Sequence, residues 1–222
     1  MLSKADHQRI ADAIARAEAA TTGEIFCVVA HESAAYRETA VAWAAAIALT
    51  GPPLALLLGL RPWERLGGAD WSGAEAGPHP MALLMAYATV QAILFAVAYF
   101  TLSVPPLRRL LTPPRVKRHR VHARAMEQFA HRLHAAEAET GILIYASLSE
   151  RRVEVIADEL IHARVGDAAW NAAVAAALAR IKAGDVAGGL VAAIEACGAV
   201  LAQHFPLTGE RASPPGGEVF EV

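Results

Sequence analysis

Cysteine is scarce, with two residues in a chain of 222, which excludes a scaffold held by several disulfides. Cys27 and Cys197 each lie in an apolar run, so both are read as buried, reduced thiols. Charge is absent from two long stretches. Thr39–Leu60 is 22 residues and Met81–Leu107 is 27 residues without Asp, Glu, Lys or Arg. Neither stretch carries the intramembrane ionisable residue that a pump or ion channel needs, which argues against a transport role. The start, MLSKADHQRIADAIARAEAA, lacks the apolar core of a cleavable signal. P-loop, GxSxG, HExxH and cysteine-nucleophile motifs are missing, and no internal repeat is visible.

What is present begins with those two apolar stretches. A bilayer core of about 30 Å is crossed by roughly 20 apolar residues in a helix, so each stretch is long enough to span. Mean hydropathy is +0.32, which fits a small soluble domain plus membrane spans better than one soluble domain. The reading is a helical transmembrane hairpin over residues 39–107 with a polar loop, 61–80, between its arms. Gly51-Pro52-Pro53 predicts a kink or break in the first arm, with a re-entrant segment as the competing reading. Ala42/Ala46 and Ala44/Ala48 allow close helix contact. Gln91, alone in the second arm, is expected to hydrogen-bond a neighbouring helix.

Arg108–Arg124 holds seven Lys or Arg and no acid, whereas the loop holds Arg61 and Arg65. The positive-inside tendency then places both chain ends in the cytoplasm and the loop outside. The expected location is the inner, cytoplasmic membrane, and the expected partners are the lipid bilayer and a membrane protein. Attraction of the basic run to anionic headgroups is worth on the order of 1 kcal/mol per residue. Nucleic acid is not expected as a partner, because the run is juxtamembrane and has no interleaved aromatics.

The remaining segments alternate helix and strand patterns. Ser3 with Asp6 makes a capping box before a helix whose apolar face is Ile10, Ala13, Ile14 and Ala17. IFCVVA, Ile25–Ala30, is a short continuous apolar run and predicts a strand covered on both faces. A helix over about Lys117–Glu139 carries the stripe Val121, Ala125, Phe129, Leu133 and Ala136. Ile142–Leu148 and Val153–Ala157 predict a hairpin with a four-residue charged loop. Two further helices follow, with stripes at Trp170, Val174, Leu178, Ile181 and at Leu190, Ile194, Cys197, Leu201, the second capped by Asp185. The tail 207–222 is rich in Pro, Gly and charge and is expected to be disordered.

TTGEIFCVV after an amphipathic helix, then ETGILIYASLSERRVEVIADE, then a helix pair ending QHFP, resembles the TPM domain family. The resemblance covers about Leu2–His31 and Val116–Pro206. It implies an α/β fold, an α/β/α sandwich with a small mixed sheet, here split into parts 1–38 and 108–206 by the transmembrane hairpin. It also implies membrane accessory roles, with calcium binding in some members and acid phosphatase activity in others.

Connectivity gives the candidate site. A helical crossover makes the first two strands parallel and the hairpin makes the third antiparallel. Glu24, Thr140 and Asp158 then meet at one end of the sheet with Glu159 beside them. Such hard oxygen donors suit Ca²⁺ or another divalent cation, and the same carboxylates suit capping of sheet and helix ends. A second candidate is the helical set Glu127, His131 and His134, with His119 and His122 before it, whose spacing permits chelation of zinc or nickel or a solvated polar face. The leading functional reading is a membrane-tethered binding or accessory module at the cytoplasmic face. The enzymatic alternative is a metal-dependent phosphatase acting on phosphomonoesters at Glu24 and Asp158.

Overall fold

The apolar run Ile25–Ala30 forms the strand on which the sheet is built. The computed structural model describes residues 2–33, 36–59, 80–135, 140–207 and 219–222. It divides into a unit of residues 1–34 with 115–222 and a unit of residues 35–114.

In the first unit, α1 (Lys4–Glu18) starts at Ser3, whose side chain accepts from Asp6 N while the Asp6 carboxylate accepts from Ser3 N. This is the expected capping box. Strand β1 (Glu24–Ala30) is buried along its whole length. Helix α5 (Pro114–Ala135) leads to β2 (Gly141–Ser147) and β3 (Arg152–Ala157). Short α6 (Glu159–Val165), a 3-10 turn (Asp167–Trp170), α7 (Asn171–Lys182) and α8 (Val186–His204) follow. Strand β4 (Val219–Glu221) ends the chain. Sheet order is β3-β2-β1-β4; β1 runs parallel to β2 and β4, and β2 runs antiparallel to β3.

Alternation along the strands divides two cores. Ile25, Cys27, Val29, Ile142, Ile144 and Ala146 point to one face and pack with Ile10, Ile14, Leu190, Ile194, Cys197 and Leu201. Phe26, Val28, Ala30, Leu143 and Tyr145 point to the other and pack with Val121, Ala125 and Phe129. Both sheet faces are therefore covered by helices, which is why β1 and β2 read as unbroken apolar runs. The fully buried stripe of α8 is the one its spacing predicts.

The tail departs from expectation. Residues 208–218 lie outside the described residues, but Val219–Glu221 pairs in parallel with Cys27–Val29. His31 N donates to Val222 O at 3.2 Å and Val222 N to Val29 O at 3.0 Å. The Arg132 guanidinium lies 3.5 Å from the Phe220 ring centroid. The overall Pro and Gly content of the tail hid a short strand that covers the open edge of β1.

The second unit holds α2 (Arg37–Leu57), α3 (Pro80–Leu102) and α4 (Pro105–Leu111). Helix α2 continues through Pro52 and Pro53, so the predicted break is absent. Ala40, Ala44 and Ala48 are buried where α2 packs on its neighbours, while Ala42 and Ala46 are exposed. Of the two small-residue pairs, Ala44/Ala48 belongs to the packed stripe. Gln91 Nε2 donates to Tyr87 OH at 3.1 Å, one turn back on the same helix. A neighbour at i,i+4 lies within reach of the amide, which replaces the expected interhelical bond. Pro105 and Pro106 end the second arm by opening a new short helix, as Pro at the first helical positions can. The loop 61–79 lies outside the described residues.

Candidate functional site

The start of β1 pairs with the start of β2, Glu24 opposite Gly141. Glu24 N donates to Thr140 O at 3.2 Å. Asp158 follows β3 and caps α6: Oδ1 accepts from Ile161 N at 2.8 Å, and Oδ2 accepts from Gly141 N at 2.7 Å. Glu24, Thr140 and Asp158 are thus gathered around Gly141 as the topology predicts. Glu159 stands exposed in the first turn of α6. Both Asp158 oxygens already serve backbone donors, so the carboxylate fastens the end of β3, the start of β2 and the start of α6 together. A cation there would have to use the lone pairs that remain.

Sequence reasoning missed Glu18 at this end. It is 1% exposed, and its Oε1 accepts from Ile25 N at 2.9 Å, joining the end of α1 to the start of β1. The available signal was its position. An acid in the last turn of a helix opposes the helix dipole, so its presence there points to another partner.

The helical histidines separate. His122 Nδ1 lies 3.0 Å from Glu154 Oε2 on β3. Glu127 pairs with Arg124 at 2.6 Å, and His131 and His134 are exposed. Among the described residues no group of three or more His, Cys, Asp or Glu side chains is placed to hold a metal ion.

The opposite end of the sheet carries a polar chain with no counterpart in the sequence reading. Ser33 Oγ donates to Ser147 Oγ at 2.8 Å, and Ser147 Oγ donates to Glu150 Oε2. With that proton committed, Tyr145 OH donates to Ser33 Oγ at 3.1 Å. Burial pushes the Tyr145 phenol above its usual range, partly offset by the Ser33 hydrogen bond, so the phenol stays protonated and able to donate. Tyr145 and Ser147 share a strand face by their two-residue spacing. Ser33 joins them because it follows the parallel strand whose last residue, Ala30, is opposite Ser147. The chain of hydroxyls binds the exit of β1 to the β2–β3 turn, where Arg151 takes a left-handed conformation with φ 50°.

Two concavities lie among the described residues. A cleft of about 680 Å³ beside the ends of β1 and β4 is lined by Asp6, His31, Asp185 and Glu221 among apolar neighbours. Three of its acids are engaged. Asp6 is bound to Ser3, Asp185 caps α8 through Gly188 N at 2.8 Å, and Glu221 accepts from Leu2 N at 2.8 Å. The Ser3 hydrogen bonds hold the Asp6 carboxyl below the usual carboxylate range. A groove of about 440 Å³ is lined by Arg115, Arg118, His119, His122 and Glu154. Cys27 and Cys197 are free and buried, and burial pushes both thiols up to about 12. Neither can act as a thiolate nucleophile near neutral pH.

Residues 119–198, from α5 into α8, are similar to a family described as a domain of unknown function, DUF5130. No curated protein matches the chain. The NMR structure of the BA42 protein from the psychrophilic bacterium Bizionia argentinensis is similar over 100% of this chain and 96% of its own, with 18% identity and a TM-score of 0.54. At that identity the likeness concerns the fold alone.

Proposed function

We propose that this chain is a membrane-tethered, TPM-like accessory module in which a transmembrane helical hairpin holds an α/β/α domain at the cytoplasmic face. One observation carries the reading. Leu84–Leu102 of α3 and Val186–His204 of α8 are each 19 residues long and apolar enough to cross a membrane, yet 50% of the second is buried and 6% of the first. Helix α8 finds its apolar surroundings within the protein. Helix α3 leaves Leu84, Met85, Val90, Ile93, Val97 and Phe100 exposed, a contiguous apolar surface of the kind that lipid or a partner covers. Lipid fits this surface better than water does. In α3, Thr89 and Thr101 turn their hydroxyls back to carbonyls of the same helix at 2.7 and 2.8 Å.

The module's role is binding rather than catalysis in this reading. Weak divalent-cation binding at Glu24, Asp158 and Glu159 is part of the proposal; the three carboxylates are not gathered as a ready ligand set and Asp158 is shared with two backbone donors, so the affinity is expected to be roughly millimolar. Alkaline carbonate treatment of membranes from expressing cells tests the tether. The chain is expected to stay with the lipid pellet, and its release into the supernatant refutes the tether. Calorimetric titration of Ca²⁺ into the detergent-solubilised chain tests the cation site. Binding is expected to weaken at least tenfold in Asp158→Asn, and equal heats from both proteins remove the site.

A further inference from the structure

The first half of α5 breaks a local rule. Arg115, Lys117 and Arg118 occupy its opening turns, and its first turn has no acid. Cations near a helix N-terminus oppose the macrodipole, at a cost of about 0.3–1 kcal/mol each. Departures from such rules concentrate at functional positions, and the departure here is removed by a bound anion. The residues are also aligned. Arg115, Arg118, His119 and His122 fall at i, i+3, i+4 and i+7 on one helix face, separate from the buried Val121, Ala125 and Phe129. They line the 440 Å³ groove, whose far wall is Glu154 of β3. Glu154 is the one carboxylate in that lining, and it is engaged with His122 Nδ1 at 3.0 Å. The pair turns the other ring nitrogen, Nε2, away from the carboxylate. Two guanidinium groups and two imidazoles thus converge on a concavity within the usual range for small-ligand sites.

We propose that this groove binds the phosphate-bearing headgroup of an anionic phospholipid, a reading that rests on the membrane tether above. Arg115 and Arg118 supply the fixed positive charge and forked donors that match phosphate oxygens. His119 and His122 add ring N–H donors. A lipid source is favoured over a free anion because the unit of residues 35–114 ends one residue before Arg115. It is favoured over nucleic acid because Arg108–Arg124 contains no Phe, Tyr or Trp on which a base could stack.

The test uses the full chain, purified in mild detergent, with phosphatidylglycerol or phosphatidylcholine added and bound lipids counted by native mass spectrometry. Wild type is expected to retain phosphatidylglycerol in preference to phosphatidylcholine. The double variant Arg115→Gln/Arg118→Gln is expected to bind phosphatidylglycerol about 30-fold more weakly, from roughly 1 kcal/mol per basic residue. Arg115→Lys/Arg118→Lys keeps most of the binding. Equal phosphatidylglycerol retention by wild type and the Gln variant overturns the proposal, as does equal retention of the two lipids by wild type. Displacement of the lipid by millimolar inorganic phosphate also overturns it, in favour of a free-anion site. Carbonate extraction of the same variants separates the two claims. A Gln variant that stays in the membrane but loses lipid selectivity supports the groove, whereas release of wild type refutes the tether independently. Matching far-ultraviolet circular dichroism of wild type and variants confirms that these exposed substitutions leave the fold intact.

Discussion

Helices α3 and α8 are nearly the same in length and apolar character and opposite in what surrounds them. Helix α8 has the devices of a core helix. Asp185 caps it, Glu195 faces outward to Arg16 at 3.8 Å, and glycines sit where neighbours come close. A Cβ on Gly198 would lie 2.6 Å from Ala17 Cβ, and one on Gly189 would lie 2.8 Å from Ala177 O. Helix α3 has neither charge nor a fully buried stripe among the described residues, and Leu84, Met85, Val90, Ile93, Val97 and Phe100 are exposed. Hydropathy alone cannot tell the two apart. The placement of small and charged residues around the apolar ones can, because a helix buried in protein must fit particular neighbours while one in lipid need only be apolar.

The contrast can be broken by substitution, and the largest effect is expected in the core of the unit that holds the sheet. Leu201→Ala, at a fully buried position, is expected to cost about 2–5 kcal/mol. Ile93→Ala on the exposed surface of α3 is expected to cost less than about 0.5 kcal/mol. Urea unfolding of the detergent-solubilised chain measures both, and similar losses would erase the distinction. Next comes Gly198→Leu. It forces α1 and α8 apart and is expected to cost about 1–3 kcal/mol, whereas Gly51→Leu in α2, with nothing within 4 Å of an added Cβ, should be nearly neutral in the same assay.

Asp158→Ala probes the acidic corner. It removes the acceptor for Gly141 N and Ile161 N together, with an expected cost of about 1–3 kcal/mol, seen as a lower unfolding midpoint without added metal. No loss would mean that the corner is held by something other than this carboxylate. The smallest effect near neutral pH concerns the thiols. Burial raises both to about 12 from an ordinary 9.0, so below pH 9 both folded and unfolded states carry neutral thiols and their contribution to stability is complete. As pH rises from 9 toward 12 the unfolded thiols ionise first, and stability is expected to decline over that window. Iodoacetamide at pH 8 should modify neither cysteine until urea unfolds the unit that holds the sheet.

Much of the first unit was legible because its apolar spacing is strict. The α8 stripe, the α5 stripe from Val121 to Phe129, the parallel β1–β2 pairing and the β2–β3 hairpin follow from local pattern and connectivity. The gathering of Glu24, Thr140 and Asp158 was also legible, since topology alone fixes which strand ends meet. Strand β4 was hidden because three residues of strand pattern are outweighed by the Pro and Gly before them. The Ser33–Ser147–Glu150 chain was hidden because its members come from two chain segments 114 residues apart, and hydroxyls carry little signal singly. Asp158 was legible as a cap, but the seven residues of α6 are too short to show an apolar stripe of their own.

The central claim is that the chain crosses the membrane twice, so that its front and back parts share one sheet on one side. Arg16 and Glu195, paired across that division at 3.8 Å, and Ser72 in the predicted outer loop offer the most direct measurement. Each is replaced singly by cysteine, and intact and lysed cells are treated with a membrane-impermeant maleimide, the native thiols being buried. The account predicts that Ser72→Cys is labelled in intact cells and that Arg16→Cys and Glu195→Cys are both labelled only after lysis. Labelling of Arg16→Cys and Glu195→Cys from opposite sides would contradict it.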